Sequence, residues 1–169
     1  MILQSKTKLA WSFNEVLTGT FKRNKVDFAH HDYPIIGPLP TNNKNTQPIE
    51  PTNNLGPFIY FIVDNNKHVQ YVGKSEEVNV LKRWMRPGVG GPSDYYWTHS
   101  TKAGGCVFNI AKGIALGNGP YHLHYATLGD LLTEYGDIFG IDTSKGTSKA
   151  LKQMEDKLKY FYVSNWNVM

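Results

Sequence analysis

An α+β domain is what this sequence predicts, on three observations. An aromatic and β-branched run over 57–63 is followed, after Asp64-Asn65-Asn66-Lys67, by the alternating run 68–72. A further alternating run covers 121–126. Helical apolar spacing covers 76–86, 128–139 and 147–162, so strands and helices interleave along the chain.

The first element is an N-terminal helical extension within residues 1–36. Ser12-Phe13-Asn14-Glu15 has the form of a capping box and predicts a short helix through about Arg23. Trp11, Phe13, Val16, Leu17 and Phe21 supply its apolar side. Lys22, Arg23 and Lys25 form a basic patch at its end, suited either to a nucleic-acid backbone or to the helix dipole. Residues 37–55 read as a linker, with Pro38, Pro40, Pro48 and Pro51 interleaved with Thr and Asn.

The third unit, 56–169, holds the remaining elements. Phe58-Ile59-Tyr60-Phe61-Ile62-Val63 predicts a strand buried on both faces, and Asp64–Lys67 tolerates turn geometry. His68-Val69-Gln70-Tyr71-Val72 predicts a half-exposed partner strand. Ser75 then caps a helix over 76–86, with Leu81, Trp84 and Met85 as its apolar stripe and Lys82, Arg83 and Arg86 beside it. The Gly-rich insert at about 87–120 holds half of the chain's 16 glycines, and no phosphate-loop signature accompanies them. Within it, Tyr95, Tyr96, Trp97 and His99 suit either aromatic packing or base stacking. His122 and His124 share one face of the third strand, a spacing that could hold zinc, but no partner Cys or acidic residue stands out nearby and an exposed polar strand face is the favoured reading.

On the last helix, Glu155 falls beside Leu151, Leu158 and Tyr162 at the margin of the apolar stripe, whereas Asp156 points away. A carboxylate placed there needs a cation or must snorkel outward.

At 169 residues the chain can bury one sizeable core. A net charge of +4, spread evenly, permits nucleic-acid binding without requiring it. The single cysteine, Cys106, excludes an intramolecular disulfide and suits a reducing compartment. With no long apolar run and no signal-peptide pattern, the expectation is a soluble cytoplasmic protein without a membrane partner.

Phe58-Ile59-Tyr60, then ten residues, then Tyr71-Val72-Gly73-Lys74-Ser75 and a helix bearing Lys82-Arg83-Trp84-Met85-Arg86 resembles the GIY-YIG nuclease family. At the other end, Glu155 on a helix and Trp166-Asn167 about a dozen residues later are similar to the family's closing motif. The resemblance covers about 56–167. It implies a compact three-stranded antiparallel sheet flanked by helices and a metal-dependent endonuclease that hydrolyses phosphodiester bonds of double-stranded DNA.

The resemblance also implies roles. Tyr60 is the general base or positions the attacking water, and Tyr71 orients the attacking group. Lys74 and Arg83 are the cations that ease formation of the Tyr60 phenolate. Arg83 holds the phosphate, Glu155 is the protein ligand of one Mg²⁺ (or Mn²⁺), and Asn167 fixes the site from behind. Two departures stand out. The interval from Tyr71 to Arg83 is two residues longer than in many members, so Arg86 or Lys82 is an alternative phosphate ligand. Pro87 stands near the family's histidine position, with His99 the nearest substitute.

The chain ends two residues after Asn167, so target choice is expected from residues 1–55, the insert, a homodimer or a partner. The competing expectations are a non-catalytic nucleic-acid-binding module on the same fold and an RNA-cleaving or toxin nuclease. A restriction-like or mobile-element enzyme suits a small free-standing chain.

Overall fold

The computed structural model describes residues 1–13, 16–17, 35–36, 56–76, 106, 109–110, 113 and 116–167. The strands are β1 (Lys8–Phe13), β2 (Val16–Leu17), β3 (Ile35–Ile36), β4 (Phe58–Val63), β5 (Val69–Ser75) and β6 (Tyr121–Thr127). The helices described along their whole length are α1 (Leu128–Phe139) and α2 (Thr147–Tyr162), with a 3₁₀ turn at Thr143–Lys145 between them. The fold is α+β, with four strands in an antiparallel sheet of order β1-β6-β4-β5 and a separate β2-β3 pair.

The apolar run 58–63 becomes the central strand because it is buried on both faces along its whole length. Ile59, Phe61 and Val63 join Val69, Val72 and Ala126 in a core closed by Leu131, Leu151, Met154, Leu158 and Tyr162 of the two helices. Side chains alternate across a strand, so Phe58, Tyr60 and Ile62 project from the opposite face. The register carries Tyr71, Gly73, Leu123 and Tyr125 onto that second face as well. Helical residue Gly113 approaches it, for a Cβ there would meet the Tyr121 hydroxyl. α1 begins with the Thr127 side chain accepting from Asp130 N–H and ends at Gly140 in the left-handed region.

The N-terminal helix expected from Ser12 to about Arg23 is corrected at its described residues, with 14–15 and 18–23 lying outside them: Lys8–Phe13 is a strand paired with β6, and Val16–Leu17 pairs with Ile35–Ile36. Trp11, Ser12, Phe13, Val16 and Leu17, expected to cap and pack a helix, lie in strands instead. Ser12 Oγ shares a 2.7 Å hydrogen bond with His122 Nδ1, and Ala10 and Phe13 are fully buried. Among the described residues the main sheet accordingly has four strands rather than three, and Lys8–Phe13 joins it through β6. The 37–55 linker, the 76–86 helix beyond Glu76 and most of the insert lie outside the described residues.

Both ends of the chain lie along β5 and its turn. Leu3 N–H donates to Lys67 O at 2.8 Å, and Val69 N–H donates to Met1 O at 2.9 Å. Trp166 N–H donates to Gln70 O at 2.9 Å. These contacts occupy backbone groups of an edge strand that would otherwise be open to pairing. Between Met1 and β1 the chain crosses under the helical layer. There the Tyr162 hydroxyl accepts from Gln4 and Ser5 N–H and lies 2.6 Å from Ser5 Oγ.

No described helix is long and apolar enough to cross a membrane.

Candidate active site

Tyr60 and Tyr71 meet on the sheet face away from α1 and α2. Their ring centroids are 6.0 Å apart at an interplanar angle of 27°, a stacked arrangement. Tyr60 stands directly opposite Gly73 in the register. A Cβ at Gly73 would lie 2.3 Å from Tyr60 Cζ and 2.5 Å from its hydroxyl oxygen. Only a residue without a side chain leaves room for that ring, so Gly73 is what lets the phenol extend from the central strand across β5. Tyr60 is 3% exposed, whereas Tyr71 is half-buried.

Asn167 reaches β5 from its outer side. Its Oδ1 accepts from Val72 N–H and its Nδ2 donates to Val72 O, both at 2.8 Å, and Ser164 Oγ donates to the same Oδ1. Its amide therefore holds the backbone between Tyr71 and Gly73 and does not face a substrate.

The remaining described candidates sit on the other side of β5. Lys74 pairs with Ile59 in the register and so shares the helical face; its ammonium is 3.9 Å from Glu76. α2 packs on that face, chiefly beneath β5. Glu155 is buried, 7% exposed. Its Oε1 lies 3.0 Å from Lys159 Nζ and its Oε2 lies 3.6 Å from Lys152 Nζ. Lys152 also bonds Asp156. The cation that a buried carboxylate requires is thus supplied within the helix, by residues three positions before and four after it.

A divalent metal fits Glu155 poorly as it stands. Mg²⁺ tolerates one carboxylate and several waters. Here both oxygens already face ammonium groups, and the described residues contain no group of three His, Cys, Asp or Glu able to hold an ion.

The structure therefore brings together Tyr60, Tyr71 and the Asn167 bracket, and sets Lys74 and Glu155 across β5 from them. Arg83, Arg86, Lys82, His99, Lys22, Arg23 and Lys25 lie outside the described residues.

His122 and His124 are not poised as a zinc pair. Each is bonded to a hydroxyl of the N-terminal segment, His122 to Ser12 and His124 Nδ1 to Thr7 Oγ1 at 3.1 Å. Burial, then the neighbouring His122 and Lys67, hold the His124 pKa down to about 4. The pair clips β1 onto β6.

Sequence reasoning missed Gly73 as a site residue. The signal was present: two positions after Tyr71 on a strand is the same face, and a glycine there opens that face. It also missed the cleft at the hairpin end, where Trp166 packs against Tyr121 with ring centroids 5.2 Å apart. Compared with protein-family models, with curated proteins and with solved structures, the chain gives no match.

Proposed function

We propose that this protein is a nuclease that hydrolyses phosphodiester bonds, with the face bearing Tyr60 and Tyr71 as its catalytic surface. The observation that carries this reading is the stacked tyrosine pair over Gly73, held from behind by Asn167. Two phenols set side by side at a glycine-opened strand offer one group to take a proton from water and another to orient it. In the hydrolytic step the water oxygen bonds to phosphorus and its proton passes to the Tyr60 phenolate, while the P–O3′ bond breaks with its electron pair on O3′, which takes a proton from solvent.

Arg83, carried by the resemblance to GIY-YIG nucleases, is the proposed phosphate clamp, with Lys82 and Arg86 as neighbours on the same predicted helix. Double-stranded DNA is the proposed substrate, and Mg²⁺ or Mn²⁺ the proposed cofactor. The position of Glu155 across β5 from the tyrosines and its two lysine partners both weigh against it as the ligand of that cofactor. No step above is routed through the metal.

One observation favours a second reading, a non-catalytic nucleic-acid-binding module: the Glu155 carboxylate is neutralised by Lys159 and Lys152.

Incubating the full chain with supercoiled plasmid and with RNA, with and without Mg²⁺ or Mn²⁺, separates the two. Nicking lost in Tyr60→Phe supports the nuclease. Binding without cleavage under every condition supports the module.

A further inference from the structure

A cleft of about 510 Å³ opens at the hairpin end of the sheet, lined by Asp64, Asn65, Asn66, Gln70, Asn118, Gly119, Tyr121 and Trp166. That volume is in the range of small-ligand sites. Tyr121 comes from the sheet face that carries Tyr60 and Tyr71, since Tyr60 pairs with Tyr125 and Ile62 with Leu123. Gln70, which lines the cleft, is the residue before Tyr71 on β5.

We infer that this cleft holds the base of an unpaired nucleotide flanking the phosphate at the tyrosine pair. The inference rests on the proposal that the chain binds nucleic acid. Three features of the lining select a base over other ligands. First, Trp166 is half-buried against Tyr121, giving a base an aromatic platform, and its indole N–H has no hydrogen-bond partner among the described residues. Second, the side-chain amides of Asn66 and Asn118 are likewise unengaged among the described residues, and amides match the paired donor and acceptor pattern of base edges. Third, among the described residues the cleft is lined by one charged group, Asp64, and by no lysine or arginine. A phosphate would meet repulsion there, whereas an exocyclic amino group would meet an acceptor.

The rest of the wall is already built. Asp64 Oδ1 accepts from Asn66 and His68 N–H at 2.9 Å, and Gln70 Nε2 donates to Asp64 Oδ2 at 3.3 Å. Asn165 Nδ2 donates to Gln70 Oε1 at 3.1 Å. Asp64 and Gln70 are thereby held in place, while Asn66, Asn118 and Trp166 keep donors for a ligand.

The test measures binding of fluorescein-labelled single-stranded and duplex oligonucleotides to the full chain in EDTA, by anisotropy across a salt series. Asn118→Ala removes no hydrogen bond of the folded protein, so it reports on the ligand. Trp166→Ala and Trp166→Phe ask whether an aromatic face is needed. The expected result is roughly tenfold weaker binding for Asn118→Ala and Trp166→Ala, with Trp166→Phe close to wild type. The salt slope should stay unchanged, because base contacts release no counterions. An oligonucleotide of abasic sites should not distinguish the variants from wild type.

Unchanged affinity in both alanine variants, a reduced salt slope, or an equal loss on abasic sites would overturn the assignment. Its fate is separable from that of the nuclease reading. Cleavage by the wild type with unaffected binding in the variants rejects the cleft and keeps the nuclease. Variant-sensitive binding without cleavage does the reverse.

Discussion

The ring of Tyr60 occupies the space that a side chain at Gly73 would need, so the two residues define one another across the β4-β5 ladder. Gly73→Ala is predicted to push Tyr60 out of its seat against a ring that other core aromatics hold. Overpacking of this kind costs about 1–3 kcal/mol. Denaturant titration should show that loss, and nicking activity should fall by more than the loss of folded protein explains. A variant as stable and as active as wild type would mean that Tyr60 has another resting place.

Asn167→Ala is predicted to free the outer side of β5. Two hydrogen bonds to Val72 disappear, each worth about 1 kcal/mol. Hydrogen exchange should quicken at the Val72 amide before it does at Phe61, in the protected strand beside it. Asn167→Asp keeps an acceptor for Val72 N–H but sets a carboxylate against Val72 O, and should recover little. Unaltered exchange at Val72 would remove Asn167 from its bracketing role.

The elements that were legible in the sequence are those in which a single periodicity runs uninterrupted. The 58–63 run, the 121–127 alternation and the stripes of α1 and α2 each bury one continuous set of side chains, so pattern and packing agree. β1 was not legible because its register shifts between Leu9 and Trp11, which breaks the alternation. Ser12-Phe13-Asn14-Glu15 meanwhile imitated a helix start, although the Ser12 hydroxyl is spent on His122. The tyrosine pair was legible because facing strands bring such residues together. The location of Glu155 was legible only as burial: helical spacing shows that a residue faces inward, not which face of a sheet it looks toward, nor that Lys159 would reach it first.

Acidification is predicted to loosen the β1-β6 seam. His124 in the folded chain titrates near 4, against 6.5 ordinarily. Between those values the unfolded chain binds a proton that the folded chain refuses, so stability is unaffected above about pH 6.5 and falls as pH drops toward 4. His122 is shifted downward too, mainly by burial, and adds in the same sense. Denaturation midpoints for His124→Gln should vary less with pH over this window than those of wild type. Parallel profiles would show that His124 titrates as an exposed histidine does.

Arg83→Ala is predicted to reduce turnover far more than Lys25→Ala. A donor acting on developing phosphate charge in a partly desolvated site is worth about 2.7–4 kcal/mol. An exposed lysine contacting the backbone changes affinity and its salt dependence instead. Rates at saturating DNA make the comparison. Equal losses would dissolve the distinction, and damage from Arg86→Ala in place of Arg83→Ala would move the clamp by one helical turn.

Lys159→Met addresses the conflict at Glu155. Removing the ammonium at 3.0 Å leaves a buried carboxylate with Lys152 as its remaining partner at 3.6 Å. The predicted cost is about 1–2 kcal/mol, less than the ~3–5 kcal/mol of a fully buried pair because Lys159 is partly exposed. If Glu155 is a metal ligand, the variant should also bind Mg²⁺ more tightly than wild type, since the competing cation is gone. Thermal melts with and without Mg²⁺ read this directly, because a cation that binds only the folded state raises its stability with concentration. Mg²⁺ should then restore much of the lost stability in Lys159→Met and none of it in Lys159→Met with Glu155→Gln. Melts of Lys159→Met that do not respond to Mg²⁺ would leave the carboxylate as a structural partner of the helix, and the binding-module reading would become the stronger one.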